Sequence, residues 1–297
     1  MIETVPPQPL TLPDGRVLDV YVGGPENGTM LLAHHGTPSS GIPMRSSVDE
    51  AAARGLRWVS YSRPGYGDST RMAGRSVADC VRDAAAIADH VGADRFFTLG
   101  TSGGGPHTLA CAALLPERVR GCAAIASPAP WGAEGLDWLA GQAPENVEEW
   151  GAALAGPDAL EAYLGREVVG LGSVASPQDI FDSFGELLPP VDRASVTGEY
   201  AETLIASTRR SVEHGIWGWF DDDMAFVDDW GFALGDIDVP IAIWQGAQDT
   251  MVPFAHGGWL AEHVSGSRAH LYDEHGHLSL RVAHFGAILD DLLEHAA

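Results

Sequence analysis

Gly100-Thr101-Ser102-Gly103-Gly104 is the stretch of this chain best suited to chemistry, because it places a serine in a G-x-S-x-G turn. On a sharp strand-to-helix turn such a serine is lifted above the sheet. Glycines two residues away on either side let strand and helix approach without Cβ clashes. The helix that follows presents free N–H groups toward a developing anion. The pattern predicts a nucleophilic serine for acyl transfer. A glycine-rich turn with a bystander serine is the plainer alternative. A phosphate-binding loop does not fit, since no lysine follows and the glycines do not match G-x-G-x-x-G.

A hydroxyl attacks a carbonyl only when a base takes its proton, and the base needs an orienting acid. The chain has 12 histidines, so position must select the base. His277 lies in Tyr272-Asp273-Glu274-His275-Gly276-His277, between the last expected strand and the terminal helix. Asp249 lies in Gly246-Ala247-Gln248-Asp249-Thr250, beyond the preceding strand. Loops at the carboxyl ends of parallel strands share one rim, the rim on which Ser102 stands. Singly, Asp249 reads as a turn aspartate and His277 as a surface histidine. Their arrival in order on strand-end loops favours a Ser102–His277–Asp249 triad. His275 is the rival base. The cluster from Asp273 to His277 lacks further ligands at zinc spacing, so no metal is expected. His35-Gly36-Thr37-Pro38 follows the first expected parallel strand, and the N–H of Thr37 could join that of Gly103 in holding an oxyanion. Loss of one such donor typically costs about 2.7–4 kcal/mol of transition-state stabilisation. His35 is expected to pin this loop, and His107 to pack within the helix after Ser102.

The elements that must position these residues alternate along the first third of the chain. Leu10 to Val22 holds two period-2 runs around Pro13-Asp14-Gly15, a hairpin signal. Short apolar strands are expected at Met30–Ala33, Trp58–Tyr61, Phe96–Leu99 and Cys122–Ala126, with helices at Val48–Arg54, Val77–Val91 and Pro106–Leu115 between them. Such alternation implies an α/β fold with a mostly parallel sheet covered by helices on both faces. The rhythm stops at Pro128-Ala129-Pro130 and resumes with strands at Ile241–Trp244 and Ala269–Tyr272 and helices at Phe254–His263 and Leu278–Glu294. The expected organisation is a core of residues 1–130 and 236–297, with an all-helical cap of residues 131–235 inserted after the sixth strand. That insertion holds 20 acidic and 4 basic residues and six of the nine tryptophans. Its tryptophans either pack a small core of their own or, at Trp217 and Trp219, line an apolar substrate pocket.

Composition narrows the function further. A net charge of −24 argues against nucleic acid and against an anionic membrane face, since both need a clustered basic surface. Lysine is absent, which removes a Walker A site, a Schiff base and pyridoxal phosphate attachment. No cofactor is expected. Cys80, Cys111 and Cys122 have no CxxC spacing and read as small buried hydrophobes. The start, from Met1 to Gly15, has neither a basic nor an apolar leader region, and no apolar run approaches the ~20 residues of a membrane span. A cytoplasmic location is expected.

The chain resembles the α/β-hydrolase superfamily, in the group with an HG-x-P oxyanion loop and a helical cap. The matching stretches are His35–Pro38, Ser62-Arg63-Pro64-Gly65-Tyr66-Gly67-Asp68-Ser69, Gly100–Gly104, Gly246–Pro253 and Gly276-His277. They cover both core segments but not the insertion. The resemblance implies Ser102 as nucleophile, Asp249 as acid, His277 as base, Thr37 and Gly103 as N–H donors, and a structural role for Arg63–Ser69. Serine at 102 speaks against epoxide hydrolases and haloalkane dehalogenases, which need aspartate there. Thr37 and Ser39 depart from the HGGPG of proline iminopeptidases, and Thr37 from the glycine of carbon–carbon bond hydrolases. The expected function is hydrolysis of a small carboxylic ester, lactone or thioester. One alternative is an iminopeptidase-like aminopeptidase or amidase, with carboxylates near Glu145, Glu148 and Glu149 holding a substrate ammonium. A low-turnover ligand receptor on the same scaffold is another.

Overall fold

The computed structural model describes residues 5–295 of the chain. Residues 1–4, part of the start read for a leader region, lie outside that range. β1 (Gln8–Thr11) and β2 (Val17–Gly23) form the expected hairpin. β3 (Thr29–His34), α1 (Arg45–Ala53), β4 (Leu56–Tyr61), α2 (Cys80–His90), β5 (Phe96–Thr101), α3 (Gly104–Leu114) and β6 (Val119–Ile125) follow. Six α-helices then come without a strand among the described residues: α4 (Pro144–Ala155), α5 (Pro157–Ser173), α6 (Pro177–Phe184), α7 (Pro190–Ser195), α8 (Gly198–Ser211) and α9 (Trp217–Phe226). The alternation resumes with β7 (Ile241–Gly246), α10 (Phe254–His263), β8 (Arg268–Tyr272) and α11 (His277–Glu294).

The strands form one eight-stranded sheet in the order β1-β2-β4-β3-β5-β6-β7-β8. β2 is antiparallel to both its neighbours, and every pairing from β4 to β8 is parallel. This is the α/β-hydrolase fold. Successive side chains leave a strand on opposite faces, so Leu31 and Leu32 enter different cores. One core packs Leu32, Val59, Ile87, Leu109 and Leu260, and the other packs Leu31, Val48, Leu99, Trp244 and Leu289. The insertion has a separate core that includes Leu160, Leu164, Val212 and Trp219. All three cysteines are buried and free.

The site is positioned by the order of β4, β3 and β5. The chain adds β4 on one side of β3 and then returns to add β5 on the other. That reversal opens a crevice between the carboxyl ends of β3 and β5, the usual ligand position in open α/β sheets. His34 of β3 and Gly100 of β5 are register partners, so the loop after β3 and the turn after β5 emerge side by side.

Candidate active site

Ser102 stands between β5 and α3 with φ +56°, a left-handed backbone conformation. For a residue with a Cβ such geometry costs about 1–3 kcal/mol and persists only where surroundings enforce it. Part of the enforcement is the backbone hydrogen bond from Ser102 N–H to the Ile125 carbonyl at 2.8 Å. The flanking glycines are required sterically. A Cβ on Gly100 would lie 2.0 Å from the Gly104 carbonyl oxygen, and one on Gly104 would lie 2.2 Å from that of His34.

His277 is the first residue of α11 and is 3% exposed. Its Nδ1 lies 2.8 Å from Asp249 Oδ2. A carboxylate only accepts, so Nδ1 carries the proton and Nε2 is left free to take one. Asp249 lies three residues beyond β7, nearer than expected because the strand continues through Gln245 and Gly246. Its Oδ1 accepts the Met251 and Val252 N–H groups at 2.9 and 2.8 Å, and Oδ2 also accepts Gln245 Nε2 at 3.1 Å. Burial alone would depress the imidazole's proton affinity. The charge and hydrogen bond of Asp249 outweigh it, so His277 titrates above the ordinary histidine value. Ser102 and His277 line one cavity of about 190 Å³. No hydrogen bond joins hydroxyl and imidazole, a contact that commonly tightens only when substrate binds.

Thr37 and Gly103 are in contact: a Cβ on Gly103 would fall 2.4 Å from Thr37 Oγ1. Neither backbone N–H has a hydrogen-bond partner among the described residues. Two free donors beside a serine hydroxyl can receive an oxyanion. His35 Nδ1 lies 2.7 Å from the Gly36 carbonyl and its Nε2 accepts the Arg63 N–H at 3.0 Å, so its ring is committed to the loop. His107 is fully buried, with Nδ1 2.8 Å from the Gly103 carbonyl. His275 faces His284, ring nitrogen to ring nitrogen at 2.9 Å, and does not line the cavity at Ser102.

The insertion supplies two buried carboxylates that the sequence did not single out. Asp222 of α9 accepts Thr37 Oγ1 at 2.6 Å, Tyr66 Oη at 2.8 Å and Arg63 Nη2 at 2.6 Å, and pairs with Arg75 at 2.6 Å. Burial would raise its pKa, but Arg63 and Arg75 hold it well below the usual carboxylate range. Arg63 also donates to the carbonyls of His35 and Gly36. The loop carrying Thr37 is thereby fixed by charge-assisted hydrogen bonds from both sides. Asp192 of α7 caps α11, accepting the N–H groups of His277, Leu278 and Ser279 at 2.8, 3.1 and 2.9 Å. A signal for either residue would have been a carboxylate opposite an unpaired arginine or helix N-terminus. Neither relation is visible along the chain.

The two tryptophans expected to line a pocket together are separated. Trp219 lines a second cavity, of about 370 Å³, that also reaches Ser102, Thr37 and Gly103. Trp217 lines neither cavity; its ring lies 4.0 Å from the Arg71 guanidinium, outside the site. Residues two apart on a helix point to different sides, which is the reason for this correction. Of the three acidic residues of α4, Glu145 and Glu149 line the second cavity. Glu148 is 69% exposed and lies 3.7 Å from Arg166.

Comparison with known proteins gives a consistent picture. The profile of the family described as alpha/beta hydrolase fold matches residues 29–282. An uncharacterized hydrolase, YcgS, of Bacillus subtilis is 25% identical over 95% of this chain and 96% of its own. Epoxide hydrolase B of Mycobacterium tuberculosis is 27% identical over 64% of this chain, a match spanning 52% of that protein. Among solved structures, the esterase RhEst1 from Rhodococcus sp. ECU1013 superposes with a TM-score of 0.67 at 18% identity, over 98% of this chain and 99% of that one.

Proposed function

Since the chain belongs to the α/β-hydrolase fold family and is a hydrolase of that fold, we propose that it cleaves a small carboxylic ester, lactone or thioester through an acyl-enzyme on Ser102. The observation that carries this reading is Ser102 in strained backbone, lining one cavity with His277, whose imidazole is paired with buried Asp249. His277 Nε2 removes the hydroxyl proton as Oγ attacks the carbonyl carbon, and Asp249 stabilises the imidazolium that forms. The tetrahedral oxyanion is received by the N–H groups of Thr37 and Gly103. The imidazolium then gives its proton to the leaving oxygen or sulfur. Water deprotonated by the same nitrogen attacks the acyl-enzyme and frees the acid and the serine. The elbow has no carboxylate in place of Ser102, so epoxide opening through an alkyl-enzyme ester is not part of this reading.

Residues 131–235 act in this reading as a cap over a core of residues 1–130 and 236–297, and the substrate is a small molecule. Among the described residues no helix is long and apolar enough to cross a membrane. A substrate panel tests the bond type. p-Nitrophenyl acetate and short alkyl esters are expected to turn over with kcat/KM at least about a hundredfold above proline-naphthylamide, a difference of ~2.8 kcal/mol in transition-state binding. An amide cleaved faster than every ester would replace this reading with the aminopeptidase one, and tight binding without product would favour the receptor.

A further inference from the structure

The two cavities that meet at Ser102 differ in what they offer a substrate. The first includes His277, and a leaving group must lie where His277 can protonate it. The second includes Ser102, Thr37 and Gly103 but not His277, so the acyl part of a bound ester points there. This assignment rests on Ser102 acting as the acyl nucleophile.

The second cavity is lined by buried polar atoms without partners. Gln142 Oε1, Glu145 Oε2 and Trp150 Nε1 have no hydrogen-bond partner among the described residues, and the carboxyl oxygens of Asp223 receive no N–H or hydroxyl donor. Asp223 is 0% exposed. The carboxyl of Glu149 lies against it, itself bonded by Trp219 Nε1 at 2.7 Å, with the charges of Asp222 and Arg75 acting on it more weakly. Acidity of the solvated surface cannot explain a carboxyl at this depth. Burial, then the charge of Glu149, holds Asp223 well above the usual carboxylate range, and burial pushes Glu149 up to about 7. A buried carboxyl pair of this kind shares a proton unless a cation enters. Gln142 Oε1, Glu145 Oε2 and, once ionised, the Asp223 oxygens are all acceptors, which calls for a ligand rich in N–H donors. The presence of Trp150 and Trp219 in the lining also suits an organic cation. No group of three or more His, Cys, Asp or Glu among the described residues is arranged to hold a metal ion.

We infer that the second cavity is an ammonium subsite, and that the substrate is an ester whose acyl group carries a protonated amine, held by Asp223 and Glu149 with Gln142 and Glu145 completing its hydrogen bonds. Binding an ammonium there lets both carboxyls ionise and releases the shared proton to solvent.

The test compares methyl esters of glycine, β-alanine, 4-aminobutyrate and L-proline with neutral esters of equal size and with their hydroxy analogues. At least one amino ester is expected to exceed its neutral counterpart in kcat/KM by about 10- to 100-fold, the range of a charge-assisted hydrogen bond lost or gained. Asp223→Asn and Glu149→Gln should each bring that ratio close to one. Equal or better turnover of the neutral or hydroxy esters by the unaltered protein would overturn the subsite. Should no ester react, calorimetry on Ser102→Ala still decides. L-Prolinamide or n-butylamine binding at least about tenfold tighter than n-butanol supports the subsite without the chemistry, and equal binding refutes it.

Discussion

Replacing Ser102 by alanine is expected to lower kcat for p-nitrophenyl acetate by about five to six orders of magnitude while leaving the fold intact, as loss of the nucleophile does in other triad hydrolases. The change removes one oxygen atom. Alanine occupies the same strained φ of +56° and keeps the Ile125 hydrogen bond, which uses the backbone N–H. The thermal midpoint should therefore stay within a few degrees, and circular dichroism should be unchanged. KM should move little, because the cavity walls remain. Steady-state assays on protein free of wild-type carry-over read the effect. Activity within tenfold of the parent would place the nucleophile elsewhere.

Asp249→Asn should cost about 10⁴-fold in kcat, because an amide cannot hold the imidazole in the tautomer that leaves Nε2 free. It should also move the pH profile. With Asp249 present the imidazole titrates above its ordinary value of about 6.5. The reaction needs the neutral base, so activity is full above that raised pKa and falls as pH drops through it. The acid limb of kcat/KM should therefore have its midpoint above about pH 6.5 in the unaltered protein. Without the carboxylate, burial is opposed only by the weaker charge of Asp192, and the midpoint shifts to lower pH. A limb unmoved by the substitution would show that another group governs it.

Much of the core fold was legible because its signals are local. Short apolar strands between helical stretches predict a parallel sheet, and glycines on both sides of Ser102 mark a backbone approach that the Gly100 and Gly104 contacts display. The rim positions of His277 and Asp249 followed from the strands before them. Of the two roles open to the insertion's tryptophans, Trp217 takes the packing one and Trp219 reaches the second cavity, a split that helical geometry imposes on residues two apart. Other features had no local signal. Asp221, Asp222 and Asp223 are consecutive, yet the first pairs with Arg71 at 2.8 Å, the second with Arg63 and Arg75, and the third faces the second cavity. Nothing in a run of three aspartates distinguishes those destinations, because each is set by partners roughly 75 to 160 residues away in sequence. Asp192 is similar: its role depends on α7 lying over the start of α11, a tertiary relation that composition and periodicity do not carry.

The insertion also holds two segments of the core in place. Asp222 reaches the loop of Thr37, and Asp192 reaches the first turn of the helix that begins with His277. Loss of Asp222 would leave Arg63 and Arg75 buried without their partner, at about 3–5 kcal/mol. Loss of Asp192 would uncap α11, at about 0.5–2 kcal/mol.

The most direct measurement is to treat the purified protein with a fluorophosphonate and map the adduct by peptide mass spectrometry after cleavage at arginine. One adduct per chain is expected, on Ser102 within the peptide of residues 96–118, and it should be absent from Ser102→Ala. A stoichiometric adduct on any other residue, or none from a preparation that hydrolyses esters, would contradict the assignment of Ser102 as the nucleophile.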